Sequence, residues 1–322
     1  MNKDNELFQP IKIANLTLKN RIFRSATFEG MCDHDGFPTN DYSNFYKILA
    51  RNDIGAIITG FAYISGCGRA MHPGQSGIDD DSKIPAYKHI TDAVHEYDCK
   101  IFMQIAHAGR QTVANAVGGA VKGVSAKKSV YFGSIPKRLT EEEIIFLTHR
   151  FADAALRAKR AGFDGVQLHA AHGYLIHQFI LPSVNNRNDE FGIDRKYGIG
   201  THFLRLVIDE IRARCGKDFP LLVKVSAGDD YRHSFSQDNF VHLIHFLDEV
   251  QIHAIEISYG TMDHALSIFR GESVPIDFIL RYNSRYNTYG SLGRFLRKRV
   301  LYPFVKLRIK KFTPMYNLPY ST

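Results

Sequence analysis

The chain has 322 residues, 44% of them hydrophobic and 23% charged, with a formal net charge of +8. It is too apolar for an intrinsically disordered protein, and its length suits one large domain or two ordinary ones. No apolar run approaches the roughly 18 residues that span a bilayer, the start MNKDNELFQP lacks a signal-peptide core, and the four scattered cysteines form no CxxC pair, which argues against a disulfide framework, a zinc ribbon or an iron–sulfur cluster and points to a reducing cytosol.

Short β-branched or apolar runs alternate with helical patterns, the order expected of βα units around a parallel sheet. Strands are predicted at 21–26 and 55–60 with a helix at 42–51 between them, and a helix at 85–97 leads into a strand at 100–105. The clearest helix covers 140–161. Thr140 and Glu143 are spaced as a capping box, and Ile144, Leu147, Phe151, Ala154, Ala155 and Ala158 share one apolar face. Gly162 then closes the helix and feeds a strand at 165–169. A helix at 200–215, a strand at 221–226, a helix at 238–250 and a strand at 253–258 complete the series. No fixed-period repeat or low-complexity segment interrupts it. From Arg281 onward the chain holds ten Lys/Arg, nine Tyr/Phe and no Asp/Glu, so the whole basic excess lies in its end segment. That segment reads either as a solvated end or as a surface for an anionic partner. No DNA- or RNA-reading motif accompanies it, so no specific nucleic acid is expected. Pro303 breaks its apolar series, against a continuous membrane-lying helix. The expected organisation is a barrel over 1–262 and a basic, aromatic segment over 263–322.

Six βα strands suggest either an open doubly wound sheet or a (β/α)8 TIM-type barrel. No glycine fingerprint follows the first strand, and no Gly-Lys-Ser/Thr phosphate loop occurs, which favours the barrel. In barrels the chemistry sits just after strand C-termini. There stand Ser25, Ala26 and Thr27 after the first strand, Gly60 after the second, and Gln104 at the end of the third. His169, His172 and Tyr174 follow the fourth, and the fifth carries Lys224. His169 and His172 admit three readings: two metal ligands lacking a third, two neutral donors to one oxygen, or a pair satisfied by loop backbone. Tyr174 beside them adds a proton donor.

Residues 20–27 (Asn-Arg-Ile-Phe-Arg-Ser-Ala-Thr), 104–110 (Gln-Ile-Ala-His-Ala-Gly-Arg) and 161–175, with its His169-Ala170-Ala171-His172-Gly173-Tyr174, together resemble the Old Yellow Enzyme family of FMN-dependent NAD(P)H:flavin oxidoreductases, which includes the barrel domain of 2,4-dienoyl-CoA reductases. The resemblance continues through Asn186-Arg187-Asn188-Asp189 and Val223-Lys224-Val225-Ser226 to about Gly260. It implies that backbone at Ser25, Ala26, Thr27 and Gly60 cradles the FMN ring, that Gln104 bonds its pyrimidine edge, and that Lys224 sits near N1 and the C2 carbonyl. It further implies that His169 and His172 hold the carbonyl oxygen of an α,β-unsaturated substrate. Hydride from NADH or NADPH would pass by way of flavin N5 to the substrate β-carbon, with Tyr174 protonating the α-carbon.

Two departures stand out. Phe28 occupies the place where the family usually has Thr or Cys, and 192–197 (Gly-Ile-Asp-Arg-Lys-Tyr) replaces a Gly-Gly-Ser and Glu-Asn-Arg stretch. Only about six barrel strands are visible, so unpaired edges are expected on the first and sixth. Either a second polypeptide or a homo-oligomer completes the barrel, or the chain is a truncated barrel or pseudoenzyme serving as an interaction module. A third reading makes the barrel a scaffold for a tail that binds anionic polymer.

Overall fold

The computed structural model describes residues 5–229 and 235–267, with isolated positions between 293 and 303. The basic end segment therefore lies almost wholly outside the described residues. An antiparallel hairpin of β1 (Ile11–Ile13) and β2 (Leu16–Leu18) opens the chain. There follow β3 (Phe23–Arg24), α1 (Asn40–Arg51), β4 (Ala56–Ile58), β5 (Ala62–Tyr63), α2 (Ile84–His95) and β6 (Lys100–Ala106). A short helix α3 (Ala114–Val117) and a parallel pair, β7 (Lys122–Gly123) with β8 (Lys137–Arg138), precede α4 (Glu141–Arg160). The chain then runs through β9 (Gly165–Ala170), α5 (Leu175–Ile180), α6 (His202–Cys215), β10 (Leu221–Ser226), α7 (Gln237–Glu249) and β11 (Ala254–Ser258).

All six predicted barrel strands form, in the order β11-β10-β9-β6-β4-β3, and every pairing is parallel. The first is only two residues long, against the six expected. β5 adds to the far end of β6. The helices cover one face because their apolar stripes must be buried against it. On that outer side Ile57, Ile101, Met103, Ile105, Val166, Leu168, Val223 and Val225 join Phe151, Ala155, Phe203, Val207 and Leu243 in one core. The capping box of α4 is in place, Thr140 accepting from the Glu143 N–H at 3.2 Å and Glu143 from the Thr140 N–H at 3.0 Å.

Strand side chains alternate, so the other members face inward and stack in levels. At the lower level Ile58, Phe102 and Leu222 pack with Ile13 and Leu18 of the β1–β2 hairpin, which plugs the N-terminal end. Above them comes a polar level of Gln104, Gln167, Lys224 and Glu256, and the rim carries His169, Ser226 and Ser258. β3 and β11 occupy opposite edges of the sheet, yet Ser25, just past β3, donates its hydroxyl to Glu256 on β11. Only strong curvature brings those edges together, so the sheet is an incomplete barrel. Outward-facing Ile257 on the β11 edge is 54% exposed. Among the described residues no helix is long and apolar enough to cross a membrane.

Candidate active site

β9 delivers His169 to the rim, and register places it directly beside Lys224 of β10. After β9 the chain turns sharply. His172 takes a left-handed backbone (φ 59°), unusual for a residue with a side chain, and Gly173 follows at φ 80°. That turn brings His172 back over the sheet, where its N–H bonds Ser226 Oγ at 3.1 Å and its Nε2 lies 2.7 Å from Ser258 Oγ. Tyr174 then opens α5. The His169 ring stands 5.1 Å from that of His172 and 4.7 Å from that of Tyr174, edge-on to both. Phe61 packs 5.3 Å from Tyr174 and 6.0 Å from His169. The three predicted catalytic side chains thus share one corner of the rim.

Burial sets their protonation. The His169 imidazole is driven well below its ordinary pKa by desolvation, then by His172 and Lys224. His172 falls to about 3 for the same reasons, burial first and Lys224 second. Burial raises the Tyr174 phenol above its usual value, helped by Tyr131. Two neutral imidazoles and a protonated phenol result. The Ala171 N–H points to His169 Nδ1 at 3.4 Å, leaving the proton on Nε2. Among the described residues no group of three or more His, Cys, Asp or Glu side chains is arranged to hold a metal ion.

Below the histidines lies the polar level. Gln104 Nε2 donates to Gln167 Oε1 at 2.6 Å, and Gln167 Nε2 donates to Glu256 Oε2 at 2.8 Å. Lys224 Nζ lies 2.7 Å from Glu256 Oε1 and 3.3 Å from Ser25 Oγ. Sequence reasoning found Gln104, Lys224 and Ser25 but missed Gln167 and Glu256. Each sits two residues before a second polar residue on its strand, His169 on β9 and Ser258 on β11, so both point to the same interior face as the rim groups. Ala26 packs against the lower apolar level, and the Thr27 carbonyl accepts from Arg24 at 3.2 Å, so the 25–27 backbone is fixed beside the network.

Gly60 sits where expected but its N–H is not free for a ring. It donates to Glu29 Oε1 at 2.7 Å and to the Tyr46 hydroxyl at 3.2 Å. A Cβ there would fall 2.2 Å from Glu29 Oε2 and 2.7 Å from the Thr27 carbonyl. The glycine is needed for close approach of the 25–30 loop to the end of β4. Phe28 packs against Phe61 and His72, with ring centroids 5.9 and 5.1 Å away, forming an aromatic wall at the rim. His107 and Arg110 support loops: His107 Nδ1 accepts from the Gly109 N–H at 3.0 Å, and Arg110 pairs with Asp263.

A flavin ring presents two carbonyl acceptors and an imide N–H along its pyrimidine edge. The polar groups here suit it: Lys224 as a donor and Gln104 through its amide would hold that edge, with the 25–27 backbone along the ring.

A profile of the NADH:flavin oxidoreductase / NADH oxidase family, whose members use FMN, matches residues 6–281. The chain is 33% identical over 257 residues to an NADH oxidase of Thermoanaerobacter brockii, an alignment covering 79% of this chain and 39% of that protein. It thus spans about two fifths of that relative's length. An NADPH dehydrogenase of Geobacillus thermodenitrificans is 34% identical over 291 residues, covering 89% of this chain and 82% of that one. The structure of an Old Yellow Enzyme homologue from Zymomonas mobilis superposes with a TM-score of 0.74 at 26% identity, over 94% of this chain and 86% of the other. The profile match over residues 6–281, the relative matched over most of both lengths and the curled parallel sheet agree, and the chain belongs to the NADH:flavin oxidoreductase / NADH oxidase family.

Proposed function

We propose that the chain acts as an FMN-dependent NAD(P)H oxidoreductase of the ene-reductase type, reducing the activated C=C bond of an enone or dienoyl substrate. One observation carries the reading: His169, His172 and Tyr174 stand ring to ring beside Lys224 at the C-terminal ends of adjacent strands. FMN, when bound, supplies the hydride relay from NADH or NADPH to the substrate β-carbon.

The residues supply the rest. His169 and His172, both neutral, donate N–H groups to the substrate carbonyl oxygen. Ser258, now on His172 Nε2, is the partner that oxygen displaces. As hydride arrives, negative charge grows on the oxygen and both hydrogen bonds strengthen, which favours the transition state over the ground state. Tyr174, kept protonated by burial, gives its proton to the α-carbon. Closure of the barrel, by chain outside the described residues, by another polypeptide or by a second copy, belongs to this proposal, because barrel phosphate sites are commonly built after strands seven and eight. The four free thiols fit a cytosolic setting.

The purified protein should be yellow and bind phenols with a long-wavelength charge-transfer band. His169→Ala combined with His172→Ala should abolish that band while FMN is retained. Unchanged phenol binding would overturn the assignment of the histidines. A colourless protein that added FMN does not reconstitute would favour the rival reading, a flavin-free barrel serving as an interaction module.

A further inference from the structure

The polar level beneath the rim contains one anion, and the hydrogen-bond directions around it follow from its charge. Glu256 is held as a carboxylate: burial would raise its pKa, but Lys224, Ser25 and Gln167 outweigh burial and leave it below the ordinary value. An ionised carboxylate only accepts. Gln167 must therefore present its NH2 to Glu256 Oε2, at 2.8 Å, which leaves Gln167 Oε1 to accept from Gln104 Nε2 at 2.6 Å. Gln104 has then turned its NH2 sideways, with one N–H given to Gln167, and its Oε1 remains as the acceptor. The same carboxylate faces Lys224 Nζ at 2.7 Å through Oε1. The Lys224 side chain is 8% exposed and that of Glu256 23%, so water screens the pair less than it would a surface pair.

Resting on the flavin reading above, we propose that Glu256 is a positioning residue for the cofactor, with two effects. It orients Gln104 carbonyl-outward, toward the imide N–H of the ring, and it cancels most of the positive charge that Lys224 would otherwise place at the pyrimidine edge. Reduction puts negative charge on that edge. A compensated lysine stabilises the reduced ring less than a bare one, so Glu256 keeps the midpoint potential low and the bound cofactor a strong hydride donor.

The test is potentiometry on the FMN-loaded protein, alongside titration with sulfite, which adds to flavin N5 and also leaves negative charge on the pyrimidine edge. Glu256→Gln frees Lys224, so the midpoint potential should rise and the sulfite Kd should fall by about tenfold or more. Glu256→Gln with Lys224→Gln removes both charges, a change buried pairs tolerate better than loss of one partner, and should return the potential close to that of the unmodified protein. FMN-loaded Glu256→Gln with unchanged potential and sulfite affinity overturns the proposal. So does a double variant whose potential drops well below the unmodified protein, since that means Lys224 acts uncompensated. The double variant alone decides the matter if the single one does not fold. Failure of the unmodified protein to take up FMN would instead overturn the flavin reading itself.

Discussion

Tyr174 has a phenol buried among aromatic rings, 6% exposed, with Phe61 and His169 packed against it. Removing that oxygen alone should leave the ring packing intact. Tyr174→Phe is expected to lower kcat for alkene reduction by about 10²-fold or more, with phenol binding and the rate of flavin reduction by NADH or NADPH unchanged. Stopped-flow measurement of the two half-reactions separates these effects. The same corner shows what single residues disclose from sequence. That His169, His172 and Tyr174 would meet was readable because all three follow from the end of one strand within six residues. The meeting of Gln167 with Glu256 was not, because a polar residue within a strand gives no hint of which partner it meets across the interior. Glu29 escaped for a similar reason: its partners Tyr46 and Gly60 come from separate elements.

At the level of whole elements, α4 was the best defined in the sequence and lies one residue inside the predicted span at each end. Its cap satisfies two backbone groups that would otherwise lack partners, and Glu141, Glu142 and Glu143 complement the positive end of the helix dipole. Thr140→Ala should cost about 1 kcal/mol, seen in thermal melts as a fall of roughly 2–4 °C. The strand at 221–226 was equally legible, since its mostly apolar run is buried along its whole length. The strand at 253–258 was legible from its β-branched alternation, although Ile257 stays exposed at the sheet edge. Short elements were not. The β1–β2 hairpin has three residues per strand and α5 only six, too few for periodicity to register. What makes them ordered is tertiary: the hairpin plugs the barrel end, and all of α5 is buried.

The whole molecule contains several buried neutral imidazoles. His107, His172 and His177 are each pushed down to about 3, burial being the main cause, whereas an exposed histidine in the unfolded chain titrates near 6.5. Between those values the unfolded chain binds protons that the folded one refuses. Stability is therefore fully present above about pH 6.5 and lost as pH falls toward 3, by up to about 1.4 kcal/mol per pH unit for each such group. Urea midpoints should fall progressively from pH 7 to pH 5. A midpoint that stays flat over that range would show that these imidazoles are reached by water. None of this summed behaviour is visible in the sequence, where fifteen histidines look alike until the fold sorts buried from exposed.

The contact from Ser25 to Glu256 has a structural corollary. The two margins of the sheet approach one another through side chains, with no backbone ladder described between β3 and β11. Among the described residues, a seam fastened in that way leaves β3 and β11 each with one margin that no strand covers. Additional strands can join at either margin without any existing inter-strand bond being broken, so the barrel can close by simple accretion, its curvature already set.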